Sequence, residues 1–185
     1  MVLLGAFDPP TLAHIEIVRA ASRAMSAPGA FCFTRVLLAR TDDALLPTET
    51  RAMLLDAIAE RCRLGLVFAN RGTYLDVARA LRATGAEPTF VIGSDKLAQL
   101  ADPSFYEDGS GGVDATFSEL GLLVVPREGA AIDRGDVQVL DVFDDPDITS
   151  ISATEVRRRV RAGTSVSGLV PREVEVALEG YTADR

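Results

Sequence analysis

The sequence has little or none of several residues that common kinds of functional site require. Its 185 residues include one histidine, two cysteines and no tryptophan. The two cysteines, Cys32 and Cys62, have neither the spacing of a zinc knuckle nor that of a disulfide framework. Lys96 is the only lysine, so arginines supply almost all of the positive charge. These shortages argue against a thiolate metal site and against a domain held together by disulfides.

Positive charge is also scarce overall. The 19 basic and 27 acidic residues give a net charge of −8. A protein that binds duplex nucleic acid presents a broad basic face, so we expect no nucleic-acid partner. No apolar run is long enough to span a bilayer, and the first residues do not resemble a signal peptide. We therefore expect a reduced, cytoplasmic protein that does not associate with membranes.

The chain does contain enough apolar residues to bury one core. Hydrophobic residues make up 48% of it and charged residues 25%, which is the balance of a globular protein. This length and composition predict a single domain over residues 1–185, with a helical C-terminal portion from about residue 152. The sequence is compatible with a homo-oligomer but does not specify one.

Short apolar runs alternate with longer amphipathic segments along most of the chain. This alternation predicts an α/β fold, a Rossmann-like open and mostly parallel sheet with helices on both faces. A less regular stretch follows Gly93, and its "DGSGG" segment (108–112) is typical both of a lid and of a disordered loop. The predicted strands are Met1–Leu4, Arg35–Ala39, Leu64–Ala69, Thr89–Gly93, Leu120–Val125 and Val137–Val142. The predicted helices are Thr11–Met25, Thr48–Arg61, Thr73–Ala83, Ser152–Arg161 and Pro171–Glu179.

The segment "GAFDPPTLAH" (5–14) follows the first predicted strand, at the edge where such sheets bind ligands. Its two prolines block a helix and leave Thr11 as an N-cap, with His14 on the same helix face. Free N–H groups at this helix start favour an anion, and Gly5 allows a phosphate to approach the backbone. On the residues alone, a plain strand–turn–helix junction is somewhat favoured over a phosphate site.

The segment "DITSISATEVRRRVRAG" (147–163) follows the last predicted strand. Ser152 and Glu155 have capping-box spacing and Gly163 can end the helix, which is typical of an ordinary surface helix. Ser152, Thr154 and Arg157 also lie together on its first turns. Hydroxyls, free N–H groups and a guanidinium at that place favour a polyphosphate.

Both segments resemble signatures of the nucleotidyltransferase superfamily, whose members transfer a nucleotidyl group to a phosphate-bearing acceptor and release pyrophosphate. "GAFDPPTLAH" resembles G-x-F-D-P-x-(H/T)-x-G-H, and "ISATEVR" resembles I-S-S-T-x-x-R. The resemblance implies that His14 holds the α-phosphate under attack and that Thr11 and Arg157 are the other catalytic residues. We expect His14 and Arg157 to meet at one triphosphate pocket. The implied ATP-binding residues are Gly5, Ala6, Phe7, His14, Gly93, Asp95, Ser152, Thr154 and Arg157.

Four further segments are most similar to nicotinate or nicotinamide mononucleotide adenylyltransferases. They are "RGTYLDVARAL" (71–81), "FVIGSDKLAQL" (90–100), "LVVPREG" (123–129) and "VRAGTSVSGLVPREVEVAL" (160–178). The resemblance implies a pyridine mononucleotide as the acceptor partner and places Asp95 against a nucleotide sugar. The implied acceptor-binding residues are Asp8, Arg40, Thr73, Tyr74, Tyr106 and Arg127.

Several positions depart from the family pattern. Leu4 and Ala13 stand where the family usually has glycines, and Ala153 replaces a serine. The lysine that many members carry after the second strand is absent, and Arg40 is the candidate substitute for it. The usual tryptophan near the pyridine ring is also absent, and Tyr106 is a candidate to stack there. Two alternatives therefore stay open. One is the same fold with another acceptor, as in phosphopantetheine adenylyltransferases or cytidylyltransferases; the other is a nucleotide-binding protein without catalysis.

The implied reaction is an in-line attack of the acceptor's 5′-phosphate on the α-phosphorus of ATP, without a covalent enzyme intermediate. Positioning and charge neutralisation suffice for such a transfer. Mg²⁺ is the expected cofactor, held largely by ATP and water, and the sequence specifies no protein ligand for it. Asp8 is expected either to orient the turn through backbone amides or to face the metal.

Overall fold

Six parallel strands form the sheet around which the other elements are arranged. The computed structural model describes residues 1–34, 44–69, 73–106, 109–126, 132, 135, 137–141 and 143–183. Neighbouring strands follow the order β3-β2-β1-β4-β5-β6, and every pair is parallel. The strands are β1 (Val2–Gly5), β2 (Ala30–Thr34), β3 (Gly65–Ala69), β4 (Thr89–Gly93), β5 (Gly121–Val125) and β6 (Gln138–Val139).

Eight α-helices and one 3₁₀ turn (Pro103–Phe105) lie within the described ranges. Most of the helices connect one strand to the next, as parallel pairing requires. They are α1 (Leu12–Ala24), α2 (Thr48–Cys62), α3 (Tyr74–Arg82), α4 (Ser94–Leu100), α5 (Ser110–Glu119), α6 (Pro146–Thr149), α7 (Ala153–Arg161) and α8 (Arg172–Ala183). Among the described residues, no helix combines the length and the apolar character needed to cross a membrane.

Helices cover both faces of the sheet, and β4 shows why. Its residues alternate in direction: Phe90 and Ile92 pack with α3 and α4, whereas Val91 packs with α1 on the opposite face. All three side chains are at most 2% exposed. On the side of α1, Phe31 joins a cluster built from α2, α7 and α8. The predicted Rossmann-like α/β fold, with a parallel sheet between two helical layers, is confirmed.

The strand order reverses between β1 and β4. The chain begins in the middle of the sheet, continues outward through β2 and β3, and then returns to the other side of β1 with β4. The loops after β1 and β4 therefore diverge and leave a crevice at the carboxyl edge of the sheet. The sequence segments after these two strands line this crevice.

Two sequence-based predictions need correction. The stretch after Gly93 contains helices α4 and α5, and α5 begins at Ser110 inside the "DGSGG" segment. Tertiary contacts override the poor helix propensity of its glycines, because Glu119 at the end of α5 pairs with Arg79 of α3. The predicted strand Val137–Val142 corresponds, among the described residues, only to the two-residue β6. The second strand of the sheet is Ala30–Thr34, and the predicted strand Arg35–Ala39 lies outside the described residues.

Candidate active site

A cleft lies at the crevice between β1 and β4. Its volume is about 180 Å³, and its lining includes Gly5, His14, Tyr74, Gly93 and Asp95. This volume is below the roughly 300–1,000 Å³ typical of small-molecule pockets, so the cleft could enclose only part of a ligand of that size. Ala6, Phe7 and Lys96 also line it. The structure thus brings together most of the ATP-binding residues predicted from the first and fourth strand ends.

The loop after β1 is built around the ring of Phe7. Phe7 adopts φ 45°, in the left-handed region, and its ring is 3% exposed. A β-carbon on Gly5 would lie 3.2 Å from this ring, which is a tight contact, so the packing of the ring favours a glycine at position 5. The ring also contacts Phe31 and His14 edge to face, with centroid distances of 5.4 and 5.1 Å. Gly5 therefore serves the packing of Phe7, in addition to any approach of a ligand.

Thr11 and His14 form a reciprocal cap at the start of α1. The His14 amide donates to Thr11 Oγ1 at 3.4 Å, and the Thr11 amide donates to His14 Nδ1 at 2.9 Å. A ring nitrogen that accepts a backbone N–H carries no hydrogen itself, so in the neutral imidazole the hydrogen lies on Nε2. The cap thus fixes both the orientation and the tautomer of the only histidine.

Thr11 lies behind the imidazole and not in the cleft. It is 0% exposed, and its hydroxyl is 2.9 Å from His14 Nδ1. Its hydroxyl contacts the ring and the helix backbone, which favours a positioning role, and that Thr11 is itself a catalytic residue stays a prediction. The α1 N-terminus is likewise less open to an anion than predicted, since the Leu12 amide already donates to the Leu169 carbonyl at 3.0 Å.

Asp8 is bound by the protein's own backbone. Its carboxylate is 4% exposed and accepts from the amides of Leu45 and Leu46 at 2.9 and 3.0 Å. Of the two roles considered for Asp8, the structure has the one in which it orients the turn. That Asp8 contacts the acceptor stays a prediction, and its burial and its two bonds to backbone amides give it no support.

Arg51 is a residue of this region that the sequence analysis missed. It lies on α2, is 2% exposed, and donates from Nη1 to the Ala6 carbonyl at 3.1 Å. Burial lowers the pKa of its guanidinium, and the nearby carboxylates of Asp8 and Glu49 act in the opposite direction. A signal was present in the sequence, because Arg51 occupies the same helical stripe as the apolar Leu54, Leu55 and Ile58 of α2.

The second signature segment reaches the first through Arg157. Its guanidinium donates from Nη1 to the Asp8 carbonyl at 2.7 Å and from Nη2 to Thr154 Oγ1 at 2.9 Å. Ser152 caps α7 by accepting from the Glu155 amide at 3.1 Å. Arg157 and Ser152 are half-buried and Thr154 is exposed, so this cluster borders solvent. The Arg157 contact with Asp8 brings the guanidinium to the loop that precedes His14.

The opposite wall of the cleft carries polar groups from the ends of β4 and α3. Asp95 is exposed in the first turn of α4, and Tyr74 packs edge to face on Phe90 with a centroid distance of 5.3 Å. Burial raises the pKa of the Tyr74 phenol, and the charges of Asp95 and Cys32 raise it further. Tyr74 therefore stays a neutral hydroxyl at physiological pH. Lys96 bonds the side-chain amide of Gln99.

Two predicted acceptor-binding residues are placed away from the cleft lining. Thr73 caps α3, and its exposed hydroxyl exchanges hydrogen bonds with Asp76. The Tyr106 hydroxyl donates to the Leu100 carbonyl at 2.8 Å, which anchors the turn after α4. Both side chains have local structural partners, and neither is among the residues that line the cleft, although Thr73 directly precedes Tyr74, which is. Arg40 and Arg127 lie outside the described residues.

Within the described ranges, no group of three or more His, Cys, Asp or Glu side chains is arranged to hold a metal ion. Asp8, which lies in the loop after β1, accepts hydrogen bonds from two backbone amides. Magnesium usually keeps several waters and binds substrate phosphates, so MgATP needs no protein cage.

Comparison with known proteins gives consistent family relationships. The model of the cytidylyltransferase-like family matches residues 2–159. A probable nicotinate-nucleotide adenylyltransferase of Thermus thermophilus is 32% identical, with 96% of this chain and 94% of the relative covered. A protein of the same description from Coprothermobacter proteolyticus is 25% identical over 94% of this chain and 89% of its own. A third, from Thermotoga maritima, is 32% identical over 51% of this chain and 46% of the relative.

Proposed function

This chain belongs to the cytidylyltransferase-like family, and from that premise we propose that it transfers an adenylyl group from ATP to nicotinate or nicotinamide mononucleotide. The products are the dinucleotide and pyrophosphate, so the enzyme acts in pyridine nucleotide biosynthesis. The chain is a nucleotidyltransferase by family. We propose its choice of donor and acceptor because the relatives from Thermus thermophilus and Coprothermobacter proteolyticus are described as probable nicotinate-nucleotide adenylyltransferases.

One observation carries the proposal. The Arg157 guanidinium of α7 donates to the Asp8 carbonyl at 2.7 Å, although the two residues are 149 positions apart. The loop that contains Asp8 leads directly into Thr11 and His14. Two polar segments from opposite ends of the chain are thus joined at the loop after β1, beside the crevice where such folds bind nucleotides, although Arg157 is not among the residues that line the cleft. A guanidinium there favours a phosphate, because its fork matches two phosphate oxygens.

His14 is the residue we place at the reacting phosphorus. Because its Nδ1 accepts the Thr11 amide, its Nε2–H is the group that can donate to an oxygen of the α-phosphate. An oxygen of the acceptor's 5′-phosphate attacks the α-phosphorus, and the bond from that phosphorus to the bridging oxygen of pyrophosphate breaks. A donor aimed at the α-phosphate stabilises the charge that develops on its oxygens. Arg157 supports the leaving pyrophosphate.

Mg²⁺ enters this scheme with ATP as part of the substrate. The other proposed contacts are Asp95 with a nucleotide sugar and Tyr74 with the acceptor, from the far wall of the cleft. The acidic composition argues against a nucleic-acid partner, and the proposed substrates are small molecules. We propose no nucleic-acid partner and no membrane association, and a cytoplasmic location.

The family description favours one second candidate, cytidylyl transfer from CTP to a phosphate-bearing acceptor. The two candidates share the phosphate chemistry and differ in the donor base. A single assay separates them. Purified protein is incubated with MgATP or MgCTP and, in turn, with nicotinate mononucleotide, nicotinamide mononucleotide or phosphopantetheine, and both the coupled product and pyrophosphate are followed.

Dinucleotide formed only from ATP and a pyridine mononucleotide is the expected result. The matched control replaces ATP with its α,β-methylene analogue, which binds but cannot release pyrophosphate. Product only with CTP or only with phosphopantetheine would assign the chain to another branch. ATP binding with no product from any acceptor would instead make it a nucleotide-binding protein without catalysis.

A further inference from the structure

We infer that Arg51 is a positioning residue for the proposed phosphate site: it holds the loop of residues 6–8 so that the ring of Phe7 and the imidazole of His14 keep their orientation. This inference rests on the proposed function for its catalytic consequence. The structural part, a buried guanidinium that fixes the loop, rests on the contacts alone.

The contacts of Arg51 are those of a residue fixed in one place. Nη1 donates to the Ala6 carbonyl at 3.1 Å, and Nη2 donates to Thr48 Oγ1 at 3.3 Å. The guanidinium lies over the Phe33 ring, 5.8 Å from its centroid. Its Nε is buried and has no hydrogen-bond partner in the described part of the chain. The side chain has 2% exposure, so a substrate cannot reach it directly.

A guanidinium is an unfavourable choice for this position if stability is its only purpose. Its neighbours on the same stripe of α2 are Leu54, Leu55 and Ile58, which fill the core without any desolvation penalty. Replacing a buried charged group by a well-packed apolar one is often neutral or stabilising. Arg51 instead places a charge, and an Nε–H without a partner among the described residues, at a helix start next to the loop of residues 6–8. This location indicates a role in the geometry of that loop.

The loop and the start of α2 are joined in both directions. Asp8 of the loop accepts from the amides of Leu45 and Leu46, just before α2, and Arg51 of α2 donates back to the Ala6 carbonyl. Three hydrogen bonds therefore connect two short segments that are about forty residues apart in sequence. Neither segment can shift without breaking bonds made by the other.

The connection continues from Ala6 to the histidine. Ala6 directly precedes Phe7, whose positive φ and tight contact with Gly5 leave its ring little freedom. That ring contacts the His14 imidazole edge to face at a centroid distance of 5.1 Å. Loss of the Arg51 contact with Ala6 thus reaches His14 through one side chain. A displacement of about 1 Å at a reacting centre can lower a rate by about a hundredfold.

The test compares Arg51→Met with Arg61→Met. Both substitutions remove an arginine from α2, but Arg61 is exposed and pairs with Glu173 at the other end of the helix. We expect R51M to lower kcat at least about tenfold with KM for both substrates within about threefold, because positioning acts on the transition state. R61M should leave both constants within about twofold. Arg51→Lys, which keeps one donor, should recover part of the lost kcat.

Two further measurements keep the inference independent of the folding of R51M and of the proposed function. Hydrogen exchange at the Leu45 and Leu46 amides should become at least about tenfold faster in R51M, while exchange in the middle of α2 is unchanged. If R51M does not fold, R51K replaces it in the same comparisons. Wild-type kcat per folded molecule in the folded variant overturns the catalytic role. If the wild type acts on no acceptor, only the proposed function fails. The positioning inference is then tested by hydrogen exchange alone, and unchanged exchange at the Leu45 and Leu46 amides of R51M would overturn it.

Discussion

The phosphate loop with the start of α1 (5–14) and the start of α7 (152–157) are built in opposite ways. In the first region the polar side chains of Thr11 and Asp8 are buried and bound by backbone groups. In the second region Ser152 and Arg157 are half-buried and Thr154 is exposed. The first region is a rigid support with one imidazole at its surface, and the second keeps its hydroxyls and guanidinium within reach of solvent.

This difference separates the residues that define geometry from those that can exchange partners. A side chain bound inside the protein can position a neighbour but cannot bind a ligand without unfolding its surroundings. The Arg157 guanidinium, by contrast, holds a backbone carbonyl and a threonine hydroxyl, which a phosphate with its greater charge can replace. The phosphate loop should therefore control kcat, and the start of α7 should control substrate affinity.

The strongest test of the rigid region replaces His14. Asparagine retains an acceptor near the position of Nδ1, and glutamine retains a donor near that of Nε2. We expect His14→Asn to keep the helix cap and the melting temperature but to lose at least about a hundredfold in kcat. His14→Gln should keep more activity and also keep the melting temperature, because glutamine at the third position of a helix can still accept the Thr11 amide. Steady-state kinetics and thermal unfolding measure both effects.

The opposite ranking of the two variants would place the catalytic contact on Nδ1. A His14→Ala variant is the reference for full loss, since it removes both nitrogens. Turnover close to the wild type in all three variants would exclude the imidazole from the reaction.

A matched pair of arginines tests the accessible region. Arg157 reaches the phosphate loop, whereas its neighbour Arg158 points to solvent and forms two hydrogen bonds with Glu155 at 2.7 Å. We expect Arg157→Ala to raise KM for ATP about tenfold or more, because it removes a charge-assisted phosphate contact. Arg158→Ala should leave KM within about twofold. Equal effects of the two substitutions would show that only the general positive charge of α7 matters.

The architecture was predictable from the sequence because its signal is local. Alternating apolar runs and amphipathic segments predict a parallel α/β sheet without knowledge of any long-range contact. Most strand and helix boundaries agree within a residue or two. The second strand, the short β6 and the unpredicted helices α4, α5 and α6 are exceptions. In α5, three glycine and serine residues at the start hide a helix that is stabilised by contacts with α3. Local propensity carries no information about such contacts.

The direction in which a polar side chain points was less predictable. Thr11, Asp8 and Arg51 are residue types that bind phosphates or metals on a surface, and all three are buried here. Thr73 and Tyr106 likewise bond their own helix or turn. A motif fixes which residue types occur near a site, but the local backbone decides whether a hydroxyl or carboxylate is used internally. For Arg51 the helical stripe was the available signal.

Thr11 allows a finer test of the rigid region. Thr11→Ser keeps the hydroxyl that accepts the His14 amide, whereas Thr11→Val keeps the shape and removes it. We expect T11S to stay within about twofold of the wild-type kcat. T11V should lose about 1 kcal/mol of stability with the N-cap and a few-fold to tenfold in kcat, because the imidazole loses a positioning contact.

Urea unfolding and steady-state kinetics on both variants check this expectation. A T11V enzyme with unchanged kcat per folded molecule would show that the backbone amide alone positions the ring. A T11S enzyme as impaired as T11V would show that the methyl group of Thr11, and not its hydroxyl, is what matters.

The smallest expected effect concerns Glu155 in the accessible region. Hydrogen bonds from Arg158 and then Arg159 lower the pKa of its carboxyl from a usual value near 4.5 to about 2. A lowered pKa in the folded state adds stability above the unfolded pKa and loses it as pH falls toward the folded pKa. The melting temperature of the wild type should therefore be slightly higher than that of Glu155→Gln at pH 7. This difference in melting temperature should disappear as the pH falls from about 4.5 to 2. The carboxyl is exposed, so screening keeps the difference to about 1 °C. A difference in melting temperature that stays constant over this pH range would mean that the ion pairs of Glu155 with Arg158 and Arg159 do not form in solution. Arg158 would then not be neutralised by Glu155 and could not serve as the control for Arg157.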